Sequence, residues 1–397
     1  MSTRRIVVAS LVAFAIPLMA RAQAPVPIEG TGFMLGSLKW TPAISLRDVG
    51  TDSNIFDTHV DHQPDFTATL TPQVDALLDT PHVRVHSTSV VDVVYFDHYA
   101  SERSVNRQVT TRIDAPLKSL VPFVSGGYTF TRERQNAELD IRARRRDLTG
   151  SLGTTVLLGT RGTVQIGGRV QEATYSDGQT LRGYELADQL NRRVEAATVG
   201  FKFAITPLTS FIADGETSRD RYTVSTFKNQ KSNRASVGFE FAPDAVLRGR
   251  ATVGYHDLKV IDTASLPFGG FTADVDLSYV LLGVTRFDAR YGRDTTFSVE
   301  APYYLQNMVG LNIQQTFIGP IDLVARGSLQ KLEYPGIASR NVDARTDHTE
   351  MLGGGIIVRT SRTTRLSFNY EITRRRSPLE SVQFERQRLF TSILVGL

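Results

Sequence analysis

Cysteine is absent from the 397-residue chain, which excludes thiol catalysis, thiolate metal sites and disulfide staples together. Tryptophan occurs once, at Trp40. Past the first two dozen residues no apolar run approaches the ~20 residues that a spanning helix needs, and mean hydropathy is only −0.16. A helical membrane protein is therefore excluded. Neither sign of charge dominates either, with 45 basic and 41 acidic residues giving +4. No phosphate-cradling loop, dinucleotide fingerprint or metalloprotease pattern is present.

The first 22 residues are expected to be a signal peptide. Arg4 and Arg5 precede an uncharged apolar stretch, Ile6 to Leu18, and Ala20-Arg21-Ala22 offers small-x-small cleavage. Losing Arg4, Arg5 and Arg21 takes the net charge from +4 to +1, so the basic balance gives no argument for nucleic acid. A short periplasmic segment, 23–37, and one large unit, 38–397, follow.

What the chain does have is strict alternation. Leu366, Phe368, Tyr370 and Ile372 alternate with Ser367, Asn369, Glu371 and Thr373. A strand sends successive side chains to opposite faces, so one face is oily and the other wet. The pattern restarts about every twenty residues and runs to the last one. It gives amphipathic segments at 38–47, 64–78, 82–96, 106–117, 123–133, 148–158, 163–174, 194–205 and 210–217. The remainder are 234–241, 248–259, 273–282, 285–297, 303–317, 321–332, 349–359, 364–373 and 384–397.

Short turn-rich joins such as Thr206-Pro207-Leu208 and Gly319-Pro320 alternate with longer polar stretches such as 175–193 and 219–233. The expected fold is all-β, a transmembrane antiparallel up-and-down barrel of about eighteen strands, with sixteen as the alternative. Val74, Ala76 and Leu78 share an outward face, as do Val237, Phe239 and Phe241, and Val275, Leu277, Tyr279 and Leu281. Trp40, Tyr95, Tyr128, Phe130, Tyr255, Tyr291 and Phe317 fall near strand ends, where an interfacial girdle would want them. Leu389, Ile393, Val395 and Leu397 share a face of the last strand and suit the signal read by barrel-insertion machinery.

Turning the oily faces outward leaves a lumen set: Arg47, Arg84, Asp92, Arg112, Asp114, Arg169, Lys202, Glu240, Arg248, Arg250, Asp274, Asp276, Asp288, Arg290, Asp322, Arg326, Glu371, Arg386 and Arg388. Opposed rows of these charges would orient polar solutes at a constriction. The competing view is that they pair across neighbouring strands and simply solvate the wall. A second set sits at strand ends on the expected extracellular rim: Arg132, Arg134, Arg142, Arg144, Arg145 and Arg146, then Arg192, Arg193, Arg219 and Arg221, then Arg374, Arg375 and Arg376. Guanidinium groups there suit the phosphates of outer-membrane lipid and lipopolysaccharide, against a plain solvated loop.

His59, Asp61 and His62 lie in the first expected loop, with Asp97 and His98 opening the next. They lack a ligand-spacing motif, and no metal or cofactor is expected. A Ser-His hydrolase would need an outward strand histidine, whereas the best candidate, His86, points inward. No catalytic residue is assigned.

Gly50-Thr51-Asp52-Ser53-Asn54-Ile55-Phe56 follows Trp40-Thr41-Pro42. It resembles the G-x-D-S-N-[IV]-F signature of the putative β-barrel porin type 2 group of outer-membrane barrels. The resemblance implies a Gram-negative outer-membrane setting, exopolysaccharide as a context, and polysaccharide-export components as partners. The residues have a plain reading too: Asp52, Ser53 and Asn54 can fold back onto the backbone where the first strand meets its loop. The expected function is a porin-like channel for hydrophilic solutes, an exported polysaccharide among them. The alternative is a non-conducting scaffold or surface-interaction barrel.

Overall fold

The computed structural model describes residues 32–261, 267–337 and 343–396. The expected leader, 1–22, most of the 23–37 segment, and Leu397 lie outside them. Eighteen long strands follow one another in a meander. They are β1 (Leu38–Asp52), β2 (Asp65–Asp79), β3 (Arg84–Phe96), β4 (Ser104–Asp114), β5 (Leu120–Glu133) and β6 (Ala143–Leu158). Then come β7 (Gly162–Tyr175), β8 (Arg192–Thr206), β9 (Thr209–Tyr222), β10 (Gln230–Phe241), β11 (Leu247–Val260) and β12 (Phe268–Leu281). Last are β13 (Thr285–Thr296), β14 (Tyr304–Ile318), β15 (Ile321–Tyr334), β16 (Arg345–Arg359), β17 (Thr364–Arg376) and β18 (Phe384–Gly396). Each pairs antiparallel with the next, and β18 pairs with β1 from Ala43↔Gly396 to Asp52↔Arg388, which closes the barrel. Phe33–Leu35 adds one short extra strand against the start of β1.

Closure has a physical cause. Outward positions carry exposed apolar side chains such as Leu152, Leu352 and Phe271, the last 77% exposed. A surface of that kind is stable against lipid, and a sheet edge in lipid would leave N–H and C=O groups unpaired. Of the expected girdle residues, Trp40, Tyr95, Tyr128, Tyr255, Tyr291 and Phe317 are exposed on this outer side, and Phe130 is half-buried.

The connections have two characters. Joins at one end are tight, such as residues 207–208 between β8 and β9 and 319–320 between β14 and β15. Those at the other end are longer; the one between β7 and β8 contains a small hairpin and the helix Leu186–Leu190. We call these the turn end and the loop end. Most strands run past their sequence-predicted limits at the loop end: β6 begins at Ala143 rather than 148, β9 continues to Tyr222 rather than 217, and β10 begins at Gln230 rather than 234. There both faces of the strand are polar, so the ladder continues where the alternation has faded.

The closing seam contains a bulge. The register of β1 shifts between Arg47 and Gly50 against β2, and between Leu46 and Val49 against β18. Asp48 takes the left-handed backbone there, at φ 53°. The extra residue lets Arg47 and Asp48, neighbours in sequence, both point inward. Arg47 reaches Asp92 at 2.7 Å, and Asp48 receives Arg388 at 2.7 Å. Aspartate tolerates the left-handed region better than a branched residue does. Asp48→Val should therefore lower barrel stability by about 1–2 kcal/mol from backbone strain alone, while Asp48→Asn, which keeps the conformation, should lose only the ion pair. Urea unfolding followed by heat-modifiable gel mobility separates the two; equal losses would argue against strain at the bulge.

Candidate functional site

The register fixes which side chains face the lumen. Every residue of the expected lumen set lies on the inward parity of its strand, and most of them pair. Arg112 meets Asp114 at 2.8 Å, Arg169 meets Glu216 at 3.1 Å, and Lys202 meets Glu240 at 2.6 Å. Arg250 meets Asp214 at 2.6 Å, Arg290 meets Asp276 at 3.3 Å, and Arg326 meets Glu371 at 3.0 Å. Arg286 holds Asp288 at 2.7 Å and Arg359 holds Asp322 at 3.0 Å. Arg386 is ion-paired to Asp52, Arg84 meets Asp79 at 3.0 Å, and Arg248 donates to the Ala245 carbonyl at 2.9 Å. Asp274 faces inward two residues from Asp276. These are pairings between side chains on the same wall, not opposed rows facing one another across open water.

Exposure divides the lumen in two. Toward the turn end much of the wall is wet, Asp276 being 63% exposed, Arg290 51% and His86 58%, although Asp322 beside the 319–320 turn is buried under Arg359. Toward the loop end it is filled. The side chains of Asp347 and His256 are fully buried, and Arg375 is 2% exposed. Tyr175, Tyr304 and Leu332 are buried as well.

Loops do the filling. Residues 134–142, between β5 and β6, fold inward and meet residues 297–303, between β13 and β14, eight strands around the wall. Leu139, Leu181, Leu186, Leu190, Phe297 and Val299 form an apolar core with Ala143 and Tyr175. Around that core run polar ties. Glu138 accepts from the Ser298 hydroxyl and the Val299 N–H, both at 2.9 Å. Arg182 bridges to Glu300 at 3.0 Å and donates to the Glu138 carbonyl at 3.3 Å, while Arg345 holds Glu300 at 2.9 Å. Lys228, fully buried, donates to the carbonyls of Gln189, Ser298 and Val299 at 3.2, 3.0 and 2.6 Å. Three loops are tied to one ammonium group.

The Asp-Ser-Asn run anchors this assembly. The Asn54 side chain donates to the Thr58 carbonyl at 2.8 Å and the Glu385 carbonyl at 3.0 Å, and its oxygen accepts from the Thr58 N–H. Ser53 exchanges backbone and hydroxyl hydrogen bonds with Gln387 on β18. Asp57, next along the loop, pairs with Arg386 and, at 3.0 Å, with Arg134 of the inward loop.

Five of the expected rim arginines are corrected by this arrangement. Arg145 points inward, 4% exposed, onto Asp147 at 2.5 Å and against the Tyr175 ring. Arg375 also points inward, to Asp347 and, at 2.6 Å, to the Ala137 carbonyl. Arg192 lies over the Phe297 ring at 4.0 Å. Arg134 and Arg142 belong to the inward loop, Arg142 donating to Ser104 and lying over Phe96. The reason is the two-residue period: in a continuous strand, consecutive arginines must alternate faces. Arg144, Arg146, Arg193, Arg219, Arg221, Arg374 and Arg376 keep outward positions, and Arg132 is outward but tied to Glu102 at 2.9 Å.

Glu138, Arg182, Lys228, Glu300, Arg345 and Asp347 were missed by sequence reasoning. Their signal was nevertheless present, since loops bound for water have little use for Leu139, Leu181, Leu186, Leu190 and Val299. His98 is hydrogen-bonded to Asp65 at 3.0 Å, which raises the imidazole above its usual range. Among the described residues no three His, Asp or Glu side chains converge as a metal site.

The sequence profile of a family described as putative beta-barrel porin 2 matches residues 26–396. No curated protein gives a significant match. Among solved structures, Pseudomonas aeruginosa OccK9 (OpdG) superposes with TM-score 0.52 at 11% identity, over 90% of this chain and 98% of that one. Pseudomonas aeruginosa OccK3 (OpdO) gives 0.51 at 10%, over 90% and 96%. A BenF-like porin from Pseudomonas fluorescens Pf-5 gives 0.51 at 11%, over 90% and 99%. These likenesses establish the fold.

Burial makes the loop assembly sensitive to pH. Desolvation raises the Glu138 carboxyl above its ordinary range, against the pull of Arg182 and its two donors, and burial raises Asp140 in the same loop. A carboxyl that is raised in the closed state stabilises closure below its open-state pKa, and that stability is lost as pH climbs through the closed-state value. Hydrogen exchange at residues 134–142, corrected for intrinsic rates, should therefore show protection falling as pH rises above the usual glutamate range. Glu138→Gln should flatten the dependence, leaving the part due to Asp140; an unchanged slope would remove Glu138 from the account.

Proposed function

The chain belongs to the putative beta-barrel porin 2 family, and from that premise we propose that it is a gated outer-membrane channel for hydrophilic solutes. It is entered from the turn end and closed at the loop end. The observation that carries this reading is the asymmetry of the lumen, a wet, charged wall on one side and cross-tied loops on the other. In an outer-membrane barrel the short turns face the periplasm and the long loops face outside. The vestibule then opens inward and the stopper faces out, an arrangement suited to export.

The wall also bears on what passes. Its charges are largely neutralised in pairs, so it sets no strong field of one sign along the path. Hydroxyl and amide groups lie between the pairs, the exposed Gln108 and Thr110 on β4 and the half-buried Thr88 on β3 and Gln171 on β7. A lining of paired ions and hydroxyls suits a polyhydroxylated chain, and we assign an exported polysaccharide as cargo. No step of this mechanism is enzymatic: polar side chains exchange hydrogen bonds with the solute while the loops part to release it.

The same stopper favours a second reading, a non-conducting scaffold. Planar-bilayer recording decides between them. The wild-type barrel should conduct rarely, and Lys228→Ala should raise open probability about tenfold or more, the population shift expected from losing ~1.5–3 kcal/mol of charge-assisted hydrogen bonding. Asp276→Ala, in the wet half, should change reversal potential without changing open probability. Silence from folded wild-type and Lys228→Ala protein alike would overturn the channel and leave the scaffold.

A further inference from the structure

The outer wall over β8 to β11 carries an arrangement that the channel does not use. Arg193 on β8 stands directly opposite Arg221 on β9, Arg219 opposite Lys231 on β10, and Lys231 opposite Lys259 on β11. All five lie on the outward parity near the loop end, and all are exposed. Like charges directly opposite one another in a sheet repel. Carboxylates answer part of the row, with Glu195 3.1 Å from Arg193 and 3.7 Å from Arg221, Asp257 3.3 Å from Lys259, and Glu172 opposite Arg193. Glu195 also stands opposite Arg219 in the register, yet among the described residues neither Arg219 nor Lys231 has a carboxylate within 4 Å. Cations outnumber carboxylates at the centre of the row.

Farther down the same strands the wall is hollowed. A depression of about 530 Å³ opens on the outer face, walled by Phe201, Val237, Val253 and, from the adjoining β12, Phe271, and floored by Gly215 and Ala235. From Arg193 to Val199 on β8, and from Lys231 to Val237 on β10, is six residues, roughly 20 Å of strand at ~3.3 Å per residue. That is about the reach of a lipid acyl chain below its headgroup. Charge above and hollow below, on one face of the same strands, are two separate observations that point to one kind of ligand.

We propose that β8 to β11 bind one phosphorylated, multiply acylated lipid of the outer leaflet. Its phosphates bridge Arg219, Lys231 and their flanking cations, and one acyl chain fills the hollow. The proposal rests on the outer-membrane reading above. Phosphate oxygens accept several guanidinium and ammonium hydrogen bonds at once, which turns repulsion within the row into a shared site. The lipid would staple four adjacent strands from outside, next to the loops tied by Lys228.

The test uses the full-length barrel, delipidated in neutral detergent, and native mass spectrometry with hexa-acyl, bis-phosphorylated lipid A as probe and phosphatidylcholine as the neutral comparison. The wild type should retain one lipid A in preference to the neutral lipid. The double variant Arg219→Ala, Lys231→Ala should lose about tenfold in apparent affinity, and so should Ala235→Phe, which fills the hollow and leaves every charge in place. Lys331→Ala, on the distant β15 and already paired with Glu333, should bind as wild type. Each protein is first scored for the heat-modifiable mobility of a closed barrel. A wild type that never shows it overturns the membrane reading itself. Folded wild type that binds both lipids alike, folded variants that bind lipid A undiminished, equal competition by inorganic phosphate, or a second copy of the chain cross-linked over the hollow would each overturn the lipid site alone.

Discussion

A backbone in hydrocarbon has no water to satisfy it, and everything else in this protein follows from that constraint. Each strand must find two neighbours, so the sheet must close on itself, and β18 returns to β1 along Ala43 to Asp52. Closure then divides the side chains. One face of every strand meets lipid and the other meets the lumen, and no residue can change sides without a bulge. At the seam, where Arg47 and Asp48 both turn inward in succession, the chain takes a bulge and a left-handed aspartate.

The same two-residue period explains how much of the fold could be read from the chain and where reading stopped. All eighteen strands were legible because their lower halves alternate oily and wet. Strand ends at the loop side were not, because in β9 the residues Ser218 to Tyr222 have a polar outer face of Arg219 and Arg221 and an inner face met by other protein. The rim assignment failed at Arg145, Arg192 and Arg375 for the same reason. Arg144, Arg145 and Arg146 look like a basic loop if the strand is thought to begin at 148; once it begins at Ala143, Arg145 has to turn inward. The loops were hardest, since contacts such as Glu138 with Ser298 join residues 160 apart in sequence, and no local pattern announces them.

Fold and stopper rest on different physics. The barrel is held by backbone ladders and lipid. The stopper is held by a small apolar core, Leu139, Leu186, Leu190 and Val299, and by buried ions whose partners sit on other loops. Buried charges are costly to strand without a partner, so such a network favours a single closed arrangement and gives way as a unit. The Asp-Ser-Asn signature fits this division. Its Asp52 pairs with Arg386 inside the wall, its Asn54 fixes the first loop to β18, and Asp57 just beyond it offers Arg134 a foothold.

The central claim is that the lumen opens at one end only. Because the chain has no cysteine, a single thiol at Asp276→Cys would report on it without background. A polymer-linked maleimide too bulky for resident porins should leave this thiol unlabelled when added to intact cells, and should label it fully once the periplasm is exposed. Equal labelling from outside would mean that the loops do not close the mouth, and the account of the stopper would fail.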